Sequence, residues 1–344
     1  MNQKTIDLAN ILLMVLSCAL AYVLPFELFL FSYAVLGPLH YLTEISWLHQ
    51  RNYFATGKFD FLLFVILGAV ITGLVLVGEG EEAQRWSTAI IFMSFGAALG
   101  MVVLSNFFYK IILLTFMAIF GYAIANLDGV QIAFGVFMPT LIHVFIFTGI
   151  FIVYGALKSK STTGILSAVV FIGCATLFFL YRPDFTWLPI SDYVKKSMLE
   201  TKFVVPLASV IKLFHMDTVN INTVFTGNAA KAVMRFIAFA YTYHYLNWFS
   251  KTSVIKWHRV PAKYLVAVAV LWVGSVALYA YNYRTGLEWL FLLSMLHVFM
   301  EFPLNFRSFI GIGEELKALL FGTPVAAPEP TPAVTKKSGS KKSR

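Results

Sequence analysis

Residues 61–78 read FLLFVILGAVITGLVLVG, with Asp60 before the run and Glu79 after it and no charge between. The hydrocarbon core of a bilayer takes about 20 apolar residues of helix. A helix on the surface of a soluble domain keeps a polar stripe, and this stretch has none. The same test finds nine more segments, near 8–24, 27–48, 87–105, 108–125, 132–156, 164–181, 229–250, 264–282 and 286–304. The expected fold is all-α, a bundle of about ten transmembrane helices over 1–308 with the lipid bilayer as its solvent.

Composition agrees. Of 344 residues, 59% are hydrophobic, 17% aromatic and 12% charged, and the mean hydropathy is +0.77. Soluble domains carry roughly a quarter charged residues. A water-soluble enzyme is excluded, and so is a chain too polar to fold. The net charge of +9 is not a nucleic-acid footprint, because Lys336, Lys337, Lys341, Lys342 and Arg344 crowd the last nine residues. Cys18 and Cys174 lie in separate apolar runs and make no disulfide framework or CxxC motif. The first apolar run leads into Pro25 without a small-residue cleavage site and reads as a span, not a signal peptide.

Short-loop Lys and Arg set orientation. Arg51, Lys58, Lys110, Lys158, Lys160, Lys251, Lys256, Arg259 and Lys263 fall on one side. Glu79, Glu81, Glu82 and Asp128 fall on the other, with Arg284. Both termini are then expected in the cytoplasm. Residues 182–228 form a long extracytoplasmic loop, in which 203–214 is too short to span and reads as an interfacial or re-entrant segment. Residues 309–322 read as a short amphipathic helix on the membrane. Residues 323–344 read as a disordered basic tail able to meet anionic lipid.

Ionisable groups inside spans are costly, so each marks a candidate site. The second span holds His40 and Glu44, the sixth His143 with Thr140 before it, the eighth His244, and the tenth His297 and Glu301. Residues four apart share a helix face. His40 therefore faces the same way as Glu44, and His297 the same way as Glu301. All four spans run in the same direction. At about 1.5 Å per residue, their imidazoles fall in a slab about 6 Å thick near the midplane. Packing alone explains poorly four imidazoles at one depth on four helices. The expectation is a metal held by His40, His143, His244 and His297. Glu44 and Glu301 would orient the rings, or add ligands if two metals bind. Tyr41, Tyr241, Asn247 and Trp248 are candidates for the substrate pocket. Pro38 and Pro303 would kink or end helices beside the site. His49, His215 and His258 read as interfacial or loop residues. Lys231 and Arg235 read as snorkelling outward.

Gly37-x-x-His40-x-x-x-Glu44 and Tyr243-His244-Tyr245 resemble two motifs of the membrane-integral β-carotene dioxygenases of the Brp/Blh type. That family has Asp where Glu44 stands and Gly where Tyr41 stands. The resemblance spans about thirty residues of short motifs, and it implies a bacterial or archaeal cytoplasmic membrane. It also implies one Fe(II) held by His, with His40 and His244 among the ligands, and cleavage of a polyene with O₂.

Imidazole with carboxylate suits Fe(II), Zn or Mn. A site inside the apolar slab calls for a lipophilic small molecule, a carotenoid, terpenoid or lipid, reaching it from the bilayer. The leading expectation is a non-haem iron oxygenase. The competing expectations are an electron carrier with haem b clamped between two His and a proton-coupled transporter using the same His/Glu set.

Overall fold

A computed structural model describes residues 3–78, 80–183, 188–221, 223–251 and 260–322. These residues form helices α1 Gln3–Val23, α2 Pro25–Phe31, α3 Gly37–His49, α4 Phe61–Val77, α5 Gly80–Val103 and α6 Phe107–Ile124. The chain continues as α7 Thr148–Ser159, α8 Thr162–Leu180, α9 Asp192–Glu200, α10 Val204–Leu213, α11 Asn228–Ser250, α12 Ala262–Tyr281 and α13 Tyr283–Phe321. Two π-helical stretches are inserted, Ser32–Leu36 and Gln131–Phe147. No strand occurs among the described residues. This is an all-α polytopic membrane protein.

Eight helices among the described residues are long and apolar enough to cross a bilayer. The expected spans at 61–78 and 229–250 fall outside that set. Helix α4 has 17 residues, and α11 is less apolar, with Lys231, Arg235, His244 and Asn247 in its run. The reason α11 tolerates those charges is its position. Nearly all its residues are buried, and it packs against α1, α2, α3, α8, α10 and both π stretches. Ala229, Ala230, Ala232, Ala238 and Ala240 let neighbouring backbones come close, as small residues do in membrane bundles. By contrast, α6 and α12 expose Ile112, Phe116, Val266 and Val270 on the periphery. In water such faces would aggregate; in lipid they are solvated.

The snorkelling expected for Lys231 and Arg235 does not occur, since both side chains are buried. Both terminal nitrogens of Arg235 donate to the Pro183 carbonyl at 3.2 Å, and its guanidinium lies 5.1 Å from the centre of the Tyr22 ring. With protein on every side of α11, no lipid interface is within reach of the side chain. Arg235→Met is expected to cost about 1.5–3 kcal/mol, the worth of hydrogen bonds to a charged group. Thermal unfolding of the purified protein reads this as a lowered midpoint.

The long connection contains α9 and α10. At 10 residues, α10 is about 15 Å long, too short to span as expected, and Leu207, Val210 and Ile211 bury against the bundle. On the other side of the bundle, Lys110 Nζ sits 2.6 Å from Asp60 Oδ2. That pair ties the start of α6 to the start of α4, in line with both lying at one membrane face. The basic loop residues Lys256, His258 and Arg259 and the tail 323–344 lie outside the described residues.

A separate surface helix over 309–322 does not form. Helix α13 runs unbroken through Pro303 for 39 residues, about 58 Å, well beyond the roughly 30 Å of a hydrocarbon core. Proline removes one helical hydrogen bond, and here the turn is held by its surroundings. Phe299 and Phe302, in the turn before it, are wholly buried. The helix stops at Gly322, which takes the left-handed conformation that glycine adopts freely.

Candidate metal centre

Four elements bring the site together: α3 carries His40 and Glu44, the second π stretch His143, α11 His244, and α13 His297 and Glu301. The π stretches matter. Ser32–Leu36 ends where Gly37-Pro38 opens α3, and Gln131–Phe147 contains both Pro139 and His143. A π turn closes i→i+5 and shifts the angular phase of everything after it, and such turns concentrate at functional sites. Both shifts precede or hold an inward-facing imidazole.

All four rings are buried, and one donor atom from each lies within 4.8 Å of the others. His143 Nε2 is 3.0 Å from His297 Nε2, and His244 Nε2 is 3.1 Å from His40 Nε2. Two nitrogens bonded at about 2.1 Å to one ion, at a right angle, lie about 3.0 Å apart. The spacing is that of adjacent ligands.

The glutamates divide. Glu44 Oε2 lies 3.0 Å from His40 Nε2, the nitrogen that faces the other rings, yet it makes no hydrogen bond. A proton on Nε2 or a metal ion held by both atoms would satisfy the pair. Glu301 does not pair with His297, as the four-residue spacing predicts. Its Oε2 lies 3.8 Å from His143 Nδ1, on the side of that ring turned away from Nε2, and its carboxyl group adjoins that of Glu44. The reason is tertiary. On α13, Glu301 is one turn past His297, and the bundle places His143 rather than its own helix neighbour beside the carboxylate. Glu44 Oε2 and Glu301 Oε1 are fully buried and accept no hydrogen bond. Buried carboxylates are costly in an apolar slab, and a divalent ion among four neutral imidazoles would balance both charges.

Thr148, which the sequence reading did not single out, holds His244: its Oγ1 is 2.8 Å from Nδ1. This leaves Nε2 for the centre, the usual arrangement of a metal-bound imidazole. Thr148 is one helical turn and a residue from His143, and nothing in a lone threonine of an apolar run marks it. Thr148→Val keeps the shape and removes the hydroxyl. It is expected to weaken metal affinity about 10–100-fold, measured by competition with a chelator. A further brace joins α3 to α11, where Trp248 Nε1 donates to Thr43 Oγ1 at 2.9 Å.

Two cavities meet the cluster from opposite ends. A polar one of about 550 Å³ reaches His40, His244, Glu44 and Glu301, and extends past Asn247 and Lys251 to Asp7 and Asn10 on α1. An aromatic one of about 330 Å³ reaches His143 and His297 between Tyr33, Tyr241, Tyr245 and Phe291. Its mouth carries Glu200, Lys202, Arg284 and Glu288. The pocket candidates therefore separate. Tyr241 lines the aromatic cavity, while Asn247 and Trp248 line the polar one. Tyr41 packs its ring 5.6 Å from that of His297. Lys251, just past the end of α11, has its ammonium held below the usual lysine value by burial, and Glu301 and Glu44 pull it back up.

The other described histidines, His49 and His215, stay apart from the cluster. His49 pairs with the Tyr53 hydroxyl at 3.1 Å, and His215 is exposed beyond α10.

No known protein family, no curated protein and no solved structure matches this chain.

Proposed function

We propose that the protein is a membrane-embedded, metal-dependent oxygenase of non-haem type that acts on a lipophilic substrate of the carotenoid, terpenoid or lipid class. The observation that carries this reading is the convergence of four buried imidazoles within 4.8 Å, two of which, His143 and His297, line the inner end of an aromatic cavity. His40, His143, His244 and His297 would hold the ion. Iron(II) is the ion we favour, since imidazole with carboxylate suits it, and it would supply dioxygen chemistry. Zinc or manganese would fit the same donors.

The chain's own residues have separate tasks. Tyr33, Tyr241, Tyr245 and Phe291 offer stacking faces to an unsaturated substrate and keep bulk water from it. Thr148 holds the His244 ring through Nδ1, and Glu301 stands behind His143. The similarity of the Gly37-to-Glu44 and Tyr243-to-Tyr245 motifs to the β-carotene dioxygenases supports the same reading. Haem fits poorly. A porphyrin lies as a plane between two axial nitrogens, and two more imidazoles this close would overlap the macrocycle.

The test is direct. Protein purified in detergent, loaded with Fe(II) without oxygen, is given candidate polyenes or a lipid extract and then ¹⁸O₂. The expected result is oxygen uptake that needs both iron and lipid, with ¹⁸O in the product. The cavities at opposite ends favour one second reading, an ion or proton path. Cation or proton flux in proteoliposomes, with no oxygenated product, would establish that alternative.

A further inference from the structure

The two cavities share no lining residue, and the imidazoles divide between them: His40 and His244 face the polar one, His143 and His297 the aromatic one. The aromatic cavity carries its carboxylates, Glu200 and Glu288, at its mouth, and neither carboxylate of the cluster lines it. The polar cavity has different walls. Asp7 Oδ2 accepts from Ser161 at 2.6 Å and Thr163 at 2.8 Å. Asn10 Oδ1 accepts from Ser250 at 2.7 Å. Asp7 and Asn10 are themselves buried, so this is a polar wall built inside the bundle. The volume has room for on the order of ten waters. Its polar side chains lie at the start of α1, the end of α7 and just past the end of α11, and at its inner end stand Glu44 and Glu301.

We infer that the polar cavity is the aqueous route by which a divalent cation reaches and leaves the four imidazoles, separate from the lipid pocket. This rests on the metal reading of the cluster. Three carboxylates, Asp7, Glu44 and Glu301, line the route against Lys158 and Lys251. Those two ammonium groups lie over aromatic rings, Lys158 5.4 Å from the centre of Tyr154 and Lys251 5.5 Å from that of Phe151. Waters and these carboxylates can replace an ion's hydration shell stepwise, and neither Glu44 nor Glu301 lines the aromatic cavity.

Gly155 lines the polar cavity, and a Cβ added there meets nothing within 4 Å. It is therefore the place for both a probe and a plug. In a Cys18→Ala/Cys174→Ala background, Gly155→Cys is expected to react with a trimethylammonium methanethiosulfonate reagent. Gly155→Trp is expected to slow extraction of bound Zn²⁺ by EDTA, and reloading, by at least about tenfold. Ser87→Trp, in the aromatic cavity, is expected to leave both rates unchanged. Gel filtration and circular dichroism check that each variant is folded. Should Gly155→Trp misfold, the smaller Gly155→Cys, blocked by the same reagent after folding, provides the plug. An unreactive Gly155→Cys, wild-type exchange in the plugged protein, or slowed exchange in Ser87→Trp overturns the route. A wild type that takes up no metal at all removes the metal reading and the route together. Metal uptake with unaltered exchange in the plugged protein removes the route alone.

Discussion

His40→Ala/His297→Ala protein, extracted from membranes and purified alongside the wild type, is expected to carry no divalent metal, while the wild type carries one ion per chain. The double change removes one nitrogen from each close pair, His244–His40 and His143–His297, and so leaves two ligands of four. Losing only an outer hydrogen-bond partner of a metal ligand costs about 10–100-fold in affinity, and losing two ligands of four costs far more. Folding is expected to survive. Both rings sit at the inner ends of cavities, and the helices that carry them are fixed by other contacts: Trp248 to Thr43 on α3, and Phe299 and Phe302 on α13. Inductively coupled plasma analysis with gel filtration reads both halves. Equal metal in wild type and variant would sink the four-imidazole centre. A variant without metal that elutes as aggregate calls for single Ala changes at His143 and His244, for which the same loss is expected.

The sequence disclosed the centre through scarcity. In a chain so apolar, four imidazoles and two carboxylates deep in spans stand out because each is expensive there. The depth count then predicts that they share a level, and the rings do converge. What failed was the pairing of Glu301. The four-residue rule places Glu301 on the face of His297, but it holds only within one helix, and His143 from another element reaches the carboxylate instead. The π stretches failed to register for a related reason. Hydrophobic periodicity is read against a 3.6-residue turn, and in a run that is apolar on every side a wider turn leaves no trace in the pattern. Only Pro38 and Pro139 hint at it. Arg235 was misplaced because snorkelling assumes a lipid-facing helix. That α11 is the buried axis follows from its alanines only once its neighbours are known. Thr148 and the two cavities belong to the same class, being products of which helices meet.

The largest effect after loss of the imidazoles is expected from the carboxylates together. Glu44→Gln/Glu301→Gln keeps the size of both side chains and removes both charges, so a dication among four neutral imidazoles would stand uncompensated in an apolar interior. An uncompensated buried charge costs several kcal/mol even after relaxation, and metal binding is expected to disappear at every practical concentration. The single changes separate the two roles. Glu44 Oε2 is beside the metal-facing nitrogen of His40, whereas Glu301 stands behind His143. In cobalt-substituted protein, Glu44→Gln is expected to lower the coordination number and strengthen the visible d–d absorption, because four-coordinate cobalt absorbs more strongly than five- or six-coordinate cobalt. Glu301→Gln is expected to leave the band shape alone and weaken affinity about 10–100-fold, as the loss of a supporting carboxylate does. Identical spectra for the two single variants would refute the assignment of Glu44 to the ion and Glu301 to the ring. The reverse pattern would exchange their roles, placing the ion on the Nδ1 side of His143, where no second imidazole nitrogen lies within hydrogen-bonding distance.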